Sequence, residues 1–138
     1  MGDNKKWNHR KEKLSREDIA LCLEEKKREQ YPRFLEFISE KAQKSEITAS
    51  QLRKVYNNLV GISELEPNTI IEKLVDMRLL VEYNERRGQY KKNRHGNGRS
   101  EFYIFMTSLL DDLIKNPDTK RVKNFEKTME AIVAFSKK

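Results

Sequence analysis

The sequence predicts an all-α fold, a small single-domain bundle of five to six helices. Three observations support this prediction. Apolar residues recur at steps of three and four along most of the chain, helix-capping patterns precede several of these stretches, and alternating strand patterns are almost absent. A chain of 138 residues has room for one modest core. We therefore expect residues 15–138 to form the bundle, with a basic loop at about 88–99, and residues 1–14 to form a flexible basic arm.

The first helix is predicted to begin after Ser15, because this N-cap residue is followed by acidic residues suited to a first turn. Cys22, the only cysteine, falls in its apolar stripe beside Ile19 and Leu23, so we expect a buried thiol. Pro32 fits the first turn of a second helix, and a single helix kinked at this proline is the alternative. The predicted apolar face of this second helix comprises Phe34, Leu35, Phe37 and Ile38.

The third helix has the clearest start, since Thr48 and Gln51 match a capping box. Gly61 is suited to end it in the left-handed conformation. Its predicted apolar side comprises Leu52, Val55, Tyr56, Leu59 and Val60. The opposite side carries donors and positive charge but no carboxylate, which suits phosphate contacts, and comprises Gln51, Arg53, Lys54, Asn57 and Asn58.

Three further helices are predicted in the second half of the chain. Pro67 opens a long helix that Gly88 ends, Ser100 caps the next helix, and a turn at 116–119 leads into the last. The long helix has the predicted apolar stripe Ile70, Ile71, Leu74, Met77, Leu80 and Val81. The next two have Phe102, Phe105, Met106, Leu109, Leu110 and Leu113, and then Val122, Phe125, Met129, Ile132 and Val133.

The charge of the chain is uneven. The formal net charge is +7, with +3 in residues 1–14, −3 in residues 15–85 and +7 in residues 86–138. Such a distribution favours nucleic acid over an acidic small molecule as the partner.

The stretch 86–99 is the strongest functional signal, because it contains six Arg or Lys, three glycines and no acidic residue. Basic side chains neutralise phosphates, and the rings of Tyr90 and His95 could stack on bases. A basic, solvated loop with no ligand is the alternative. The candidate RNA-binding residues here are Arg86, Arg87, Lys91, Lys92, Arg94 and Arg99. Three lysines spaced by three and four on the last helix, Lys120, Lys123 and Lys127, are further candidates.

Catalysis is not expected. His9 and His95 are the only histidines, and neither stands with Cys or acidic residues at metal-ligand spacing. The glycines of the basic stretch lack the strand and the Gly-Lys-Ser ending of a phosphate-binding loop. We therefore expect no metal, no cofactor and no catalytic residue. The sequence also has no secretory signal and no apolar run long enough for a membrane span, so we expect a cytoplasmic protein without membrane contact.

Three segments together resemble the small helical subunit of the type III-A CRISPR interference complex, the Csm complex. They are Thr48-Ala-Ser-Gln-Leu-Arg53 at the start of a helix, Leu80-Val-Glu-Tyr83 followed by Arg86-Arg87-Gly88, and Asn124-Phe-Glu-Lys-Thr-Met-Glu-Ala-Ile-Val-Ala-Phe135 in the closing helix. The resemblance covers about residues 34–138. The glycine-containing stretch from Gln89 to Arg99 is longer than the corresponding join in that family.

The resemblance implies a structural subunit without an active site. Several copies would stack head to tail along a filament beside the backbone and large subunits, and would hold guide RNA and target RNA through phosphates. Arg53 and Arg86 fall within the matched segments, whereas the other candidate residues rest on charge alone. Isolated copies are expected to form homodimers.

Two other interpretations remain open. Residues 48–61 could serve as the recognition helix of a helix-turn-helix DNA-binding protein. Alternatively, the basic surface could belong to a helical protein–protein adaptor that docks on an acidic partner.

Overall fold

The computed structural model describes residues 13–45, 47–90 and 99–136. These residues form six α-helices and two short 3-10 turns, and they contain no strand, which confirms the all-α prediction. The helices are α1 (Arg16–Leu23), α2 (Tyr31–Ser45), α3 (Ala49–Leu59), α4 (Pro67–Arg86), α5 (Glu101–Lys115) and α6 (Thr119–Phe135). The 3-10 turns are Arg28–Gln30 and Ile62–Glu64.

The predicted caps form as expected. The Ser15 hydroxyl accepts a hydrogen bond from the backbone N–H of Asp18 at 3.1 Å. Thr48 and Gln51 complete a reciprocal capping box: the Thr48 hydroxyl accepts from the Gln51 N–H at 3.0 Å, and the Gln51 side chain accepts from the Thr48 N–H at 3.1 Å. Local sequence therefore sets where α1 and α3 begin, because each cap satisfies an N–H that has no partner within its own helix.

The helix ends also follow local signals. Gly61 follows α3 with φ 81° and Gly88 follows α4 with φ 74°, both in the left-handed region that favours glycine. Pro32 is the second residue of α2, and an extended backbone at Glu24 separates α1 from the chain that leads into α2. The segment is therefore two helices and not one kinked helix.

Helices α5 and α6 form the centre of the bundle. Helix α6 packs against α1, α2, α3 and the turn Ile62–Glu64, whereas α5 packs against α1, α2 and α4. The middle of α5 is buried on almost every side and contributes Phe102, Phe105, Met106, Leu109, Leu110 and Leu113 to the core. Because α4 packs chiefly on α5, it lies at the edge of the bundle and turns one face outward.

Four residues that the sequence pattern placed on apolar faces are instead exposed. One of them is Leu35 of α2. Val60 follows the last residue of α3 and points to solvent, and Ile71 and Leu80 lie on the outward face of α4. Helix α4 packs on α5, and its buried apolar residues are Ile70, Leu74, Met77 and Val81. The apolar residues of α4 therefore exceed what one neighbouring helix can cover.

Buried polar contacts join the first helix to the last. Arg121 of α6 is buried and forms ion pairs with Glu24 at 2.8 Å and with Asp112. Its guanidinium also donates to the carbonyl oxygen of Asn116 at 2.8 Å. Cys22 is buried as predicted, and burial raises the pKa of its thiol to about 12. Among the described helices none is both long and apolar enough to cross a membrane.

Candidate nucleic-acid interface

The structure places eight of the predicted RNA-binding residues in four parts of the bundle. Arg53 and Lys54 are exposed on α3. Arg86 ends α4, Arg87 follows it, and Arg99 precedes α5. Lys120, Lys123 and Lys127 are exposed on α6. The remaining candidates, Lys91, Lys92 and Arg94, lie outside the described residues, as do His95 and residues 1–12 of the predicted arm.

Arg86, Arg87 and Arg99 form what we call the arginine cluster, at the junction of α4 and α5. Two of the three lie over tyrosine rings: Arg87 is 5.1 Å from the centroid of Tyr83, and Arg99 is 5.0 Å from that of Tyr103. A guanidinium stacked on an aromatic ring keeps its full charge and its hydrogen-bond donors. The two stacked arginines therefore remain able to bind an anion.

Glu82 connects Arg86 to the tyrosine ring beneath Arg99. Its carboxylate accepts a hydrogen bond from the Tyr103 hydroxyl at 2.7 Å, one from Arg78 at 2.9 Å and one from Arg86 at 2.8 Å. The hydrogen bond from Tyr103, followed by that from Arg78, lowers the pKa of Glu82 to about 2. Glu82 therefore stays ionised at neutral pH and positions Arg86 and the ring beneath Arg99.

Arg86 differs from the other described candidates because it has a carboxylate partner. Within the described residues, no ion pair involves Arg53, Lys54 or either of the stacked arginines, Arg87 and Arg99. The side chain of Arg86 is nevertheless 72% exposed, and one guanidinium has more donors than Glu82 uses. Arg86 can therefore contact a phosphate without leaving Glu82.

The two described ends of the basic loop are fixed to the bundle. Glu85 is buried and accepts hydrogen bonds from the Ser100 N–H at 3.1 Å and the Ser100 hydroxyl at 2.8 Å. The backbone carbonyl of Gln89 accepts from the Gln51 side chain at 3.1 Å, which ties the loop to the start of α3. The base of the loop is therefore held between α3, α4 and α5.

Tyr90 does not serve as the stacking ring that the sequence suggested. It is buried, its ring lies 5.0 Å from that of Phe102 in an edge-on arrangement, and its hydroxyl accepts from Asn84 at 3.3 Å. The rings beside the arginines are those of Tyr83 and Tyr103. The spacing of four between Tyr83 and Arg87 is the sequence signal that could have identified the first pair.

A second basic region lies where α3 meets α6. Lys123 and Lys127 line a cleft of about 400 Å³ with Tyr56 and Val60. Arg53 lies one turn before Tyr56 on the same side of α3. The same cleft also contains the carboxylates of Glu126 and Glu130. The lysines here face a surface of mixed charge.

Lys120 lies outside the cleft between α3 and α6. It lines a neighbouring hollow with Lys123, Glu24, Glu25 and Asp118, and the Asp118 side chain caps α6. The acidic neighbours offset its charge. Of the three α6 lysines, Lys120 is therefore the weakest candidate for contact with a polyanion.

Helix α3 links the arginine cluster to the α6 lysines. Its start is bonded to Gln89 beside the end of α4, and its end borders the cleft that contains Lys123 and Lys127. The helix has eleven residues and spans about 16 Å. Its outward face contains Arg53 and Lys54, and the helix contains no carboxylate. The outward face of α3, which we call the α3 strip, thus lies between two basic regions that are far apart in sequence.

No three His, Cys, Asp or Glu side chains in the described ranges come together in a group that could hold a metal ion. Asp111 and Asp112 point in different directions, because the first pairs with Arg78 at 2.8 Å and the second with Arg121.

Comparison with known proteins assigns the chain to a family. The model of the family described as Csm2 Type III-A matches residues 25–138. A comparison with curated proteins and a comparison with solved structures each find no match. Because the family model spans most of the sequence, the chain belongs to the Csm2 type III-A family, the small helical subunits of the Csm complex.

Proposed function

We propose that this chain is a non-catalytic RNA-binding subunit of the type III-A CRISPR effector complex. Several copies lie along the filament and hold guide RNA and target RNA through phosphate contacts that ignore base identity. The backbone and large subunits of the complex are its protein partners, and the setting is cytoplasmic antiviral defence. Family membership supports the place in the complex, and the RNA contacts follow from the charge of the surface.

The observation that carries the proposal is the carboxylate-free outward face of α3. Arg53 and Lys54 are exposed on it, and Asn57 and Asn58 add amide donors. The arginine cluster lies at one end of this face, and the α6 lysines lie at the other. A strip about 16 Å long can follow several successive phosphates of one strand.

Phosphate contact without base readout is the recognition mode that an RNA-guided machine requires of such a subunit. Base pairing between guide and target supplies the sequence specificity, so the protein needs only to hold the two backbones. Arg and Lys side chains on a fixed helix perform this task, because their charges attract phosphates of any sequence. The ring of Tyr103 lies beneath Arg99, and one face of the exposed Tyr83 ring lies against Arg87, so neither ring offers both of its faces to a base.

Repetition along a filament requires that each copy contact the next. Head-to-tail stacking uses two different faces of one chain, whereas a closed dimer uses the same face twice. The proposed function needs the first kind of contact within the complex. We expect copies that are free of the complex to associate with each other as well.

The proposal is tested by titrating the purified chain with single-stranded RNA, unrelated RNA and duplex DNA of the same sequence. Each titration is repeated at several salt concentrations. The proposed function predicts similar affinity for the two RNAs and a steep decrease of that affinity with salt. Log affinity plotted against log salt concentration should have a slope of about −0.7 for each phosphate neutralised on a single strand.

The alternative functions give different results in the same assay. A strong preference for one duplex DNA sequence would identify a helix-turn-helix protein that uses α3 in the major groove. Weak binding to every nucleic acid would instead favour a protein–protein adaptor. Either result would overturn the proposed function.

A further inference from the structure

The outward face of α4 is an apolar surface on an otherwise highly charged chain. Ile71, Val75, Leu79 and Tyr83 follow one another at steps of four and are all exposed, with Leu79 the most exposed at 61%. Leu80 lies beside them and is also exposed. Helix α4 packs on α5 through its opposite side. An apolar stripe along a helix, exposed at this level, is typical of a protein-binding surface.

The residues of this stripe are arranged symmetrically about Leu79. Val75 and Tyr83 stand four residues to either side, and Glu72 and Arg86 stand seven residues to either side. At 100° per residue, the inner two lie about 40° from Leu79 and the outer two about 20° from it. All five side chains thus share one face, which has an acidic end and a basic end.

We infer that this face binds the same face of a second copy, with the two α4 helices antiparallel and Leu79 on the two-fold axis. Val75 of each copy then lies against Tyr83 of the other, and Leu79 lies against its own counterpart. Such a contact is self-complementary, as an isologous interface must be.

Charge selects the antiparallel orientation. Antiparallel pairing brings Glu72 of each copy to Arg86 of the other, whereas parallel pairing would bring like charges together. Arg86 can accept this second partner because it is 72% exposed while bonded to Glu82. Asp76 lies on the same flank of α4 as Leu80 and adds to the negative charge of the half that faces Arg86.

This inference rests on the proposed self-association but not on RNA binding. A two-fold pair is closed and cannot extend into a filament, so it describes the subunit outside the complex. RNA affinity is therefore measured separately on every variant below, and a failure of one proposal is distinguishable from a failure of the other.

Sedimentation of the full chain over a range of concentrations provides the first test. The wild type is expected to form a dimer, and Leu79→Asp is expected to raise its dissociation constant by at least about tenfold, since an unpaired charge would be buried at the axis. Leu35→Asp is the matched control, because Leu35 is an exposed leucine on α2. Circular dichroism checks that both variants keep their helices.

Charge reversal tests the orientation. Glu72→Arg and Arg86→Glu are each expected to weaken the dimer, and the double variant is expected to restore it, because the pairing is then reversed in both copies. A double variant that is weaker than both single variants would contradict antiparallel pairing.

Cysteine cross-linking tests the position of the axis. Facing Cα atoms of two packed helices lie roughly 5 Å apart, a distance that a disulfide spans. Leu79→Cys is therefore expected to give a disulfide-linked dimer on oxidation, whereas Val75→Cys alone should not. A mixture of Val75→Cys and Tyr83→Cys chains should cross-link again. The native thiol of Cys22 is buried and does not compete.

Four results would overturn the inference. The wild type could be monomeric at every concentration, the dimer could survive Leu79→Asp, or it could dissociate in Leu35→Asp instead. A stable dimer without cross-linking through residue 79 would likewise place the contact on another surface.

Discussion

The buried carboxylate of Glu85 accepts two hydrogen bonds from Ser100, one from its backbone N–H at 3.1 Å and one from its hydroxyl at 2.8 Å. The same hydroxyl accepts from the Tyr103 N–H and caps α5. A single pair of residues thus joins the end of α4 to the start of α5 and closes the base of the basic loop. The position of the arginine cluster depends on this pair.

Ser100→Ala is expected to destabilise the protein by about 1–3 kcal/mol. The substitution removes an N-cap and leaves a buried carboxylate with one fewer donor. Urea unfolding followed by circular dichroism measures the effect. Ser50→Ala is the control, since Ser50 is exposed within α3. An unchanged unfolding free energy for Ser100→Ala would show that the pair is not structurally important.

The stability of the protein is expected to fall in acid through Glu82. Its pKa is about 2 in the folded state, chiefly because Tyr103 and then Arg78 donate to it, against an ordinary value of 4.5. A lowered folded-state pKa contributes stability that is fully present above pH 4.5 and is lost as the pH falls towards 2. The unfolding free energy measured from pH 7 to pH 2 tests this dependence.

Tyr103→Phe tests whether the Tyr103 hydrogen bond to Glu82 causes the pH dependence of stability. The variant loses the largest cause of the pKa shift, so it should be less stable than the wild type at pH 7, and the difference should shrink as the pH falls below 4.5. Tyr83→Phe is the control, because Tyr83 contacts Arg87 through its ring. A difference that stays constant with pH would contradict the role given to Glu82.

Cys22 is expected to be unreactive in the folded protein. Burial excludes reagents from the thiol and raises its pKa to about 12, so very little thiolate exists at pH 8. A colorimetric thiol reagent should react only as fast as the protein unfolds, and at once in urea. Immediate, complete reaction under native conditions would show that α1 does not cover this residue.

Arg121→Ala is expected to cost about 1–3 kcal/mol of stability. The guanidinium is buried and joins Glu24, Asp112 and the Asn116 carbonyl, so its removal takes away these hydrogen bonds and leaves Asp112 with only Arg16 as an ion-pair partner. Lys123→Ala is the comparison on the same helix and should change the unfolding free energy by less than about 0.5 kcal/mol, since Lys123 is exposed. Similar effects for the two variants would contradict the structural role of Arg121.

The sequence could predict those features that depend on neighbouring residues. The caps at Ser15, Thr48 and Ser100, and the left-handed glycines at Gly61 and Gly88, each depend on a few adjacent positions. The aromatic core was predictable for the same reason, because helical spacing fixes which residues share a face.

Features that depend on distant residues could not be predicted. Arg121 is buried because Glu24, 97 positions earlier, packs against α6, and Tyr90 is buried because Phe102 lies beyond the loop. Ile71 and Leu80 were placed in the core because α4 has apolar residues on two sides. The pattern alone does not show which of these sides faces α5. The candidate residues could be chosen from the sequence by their charge. The sequence could not show that the arginine cluster lies beside the start of α3 and that Lys123 and Lys127 lie beside its end.

The most direct test of the proposed function is the RNA affinity of Arg53→Ala/Arg86→Ala. The double variant should bind single-stranded RNA at least about tenfold more weakly and keep its helicity. The slope of log affinity against log salt concentration should become shallower by about 1.4. Lys44→Ala/Lys73→Ala removes the same charge from exposed positions elsewhere on α2 and α4 and should bind as the wild type does. Unchanged affinity of Arg53→Ala/Arg86→Ala, or an equal loss in the control, would contradict a specific phosphate-binding strip along α3.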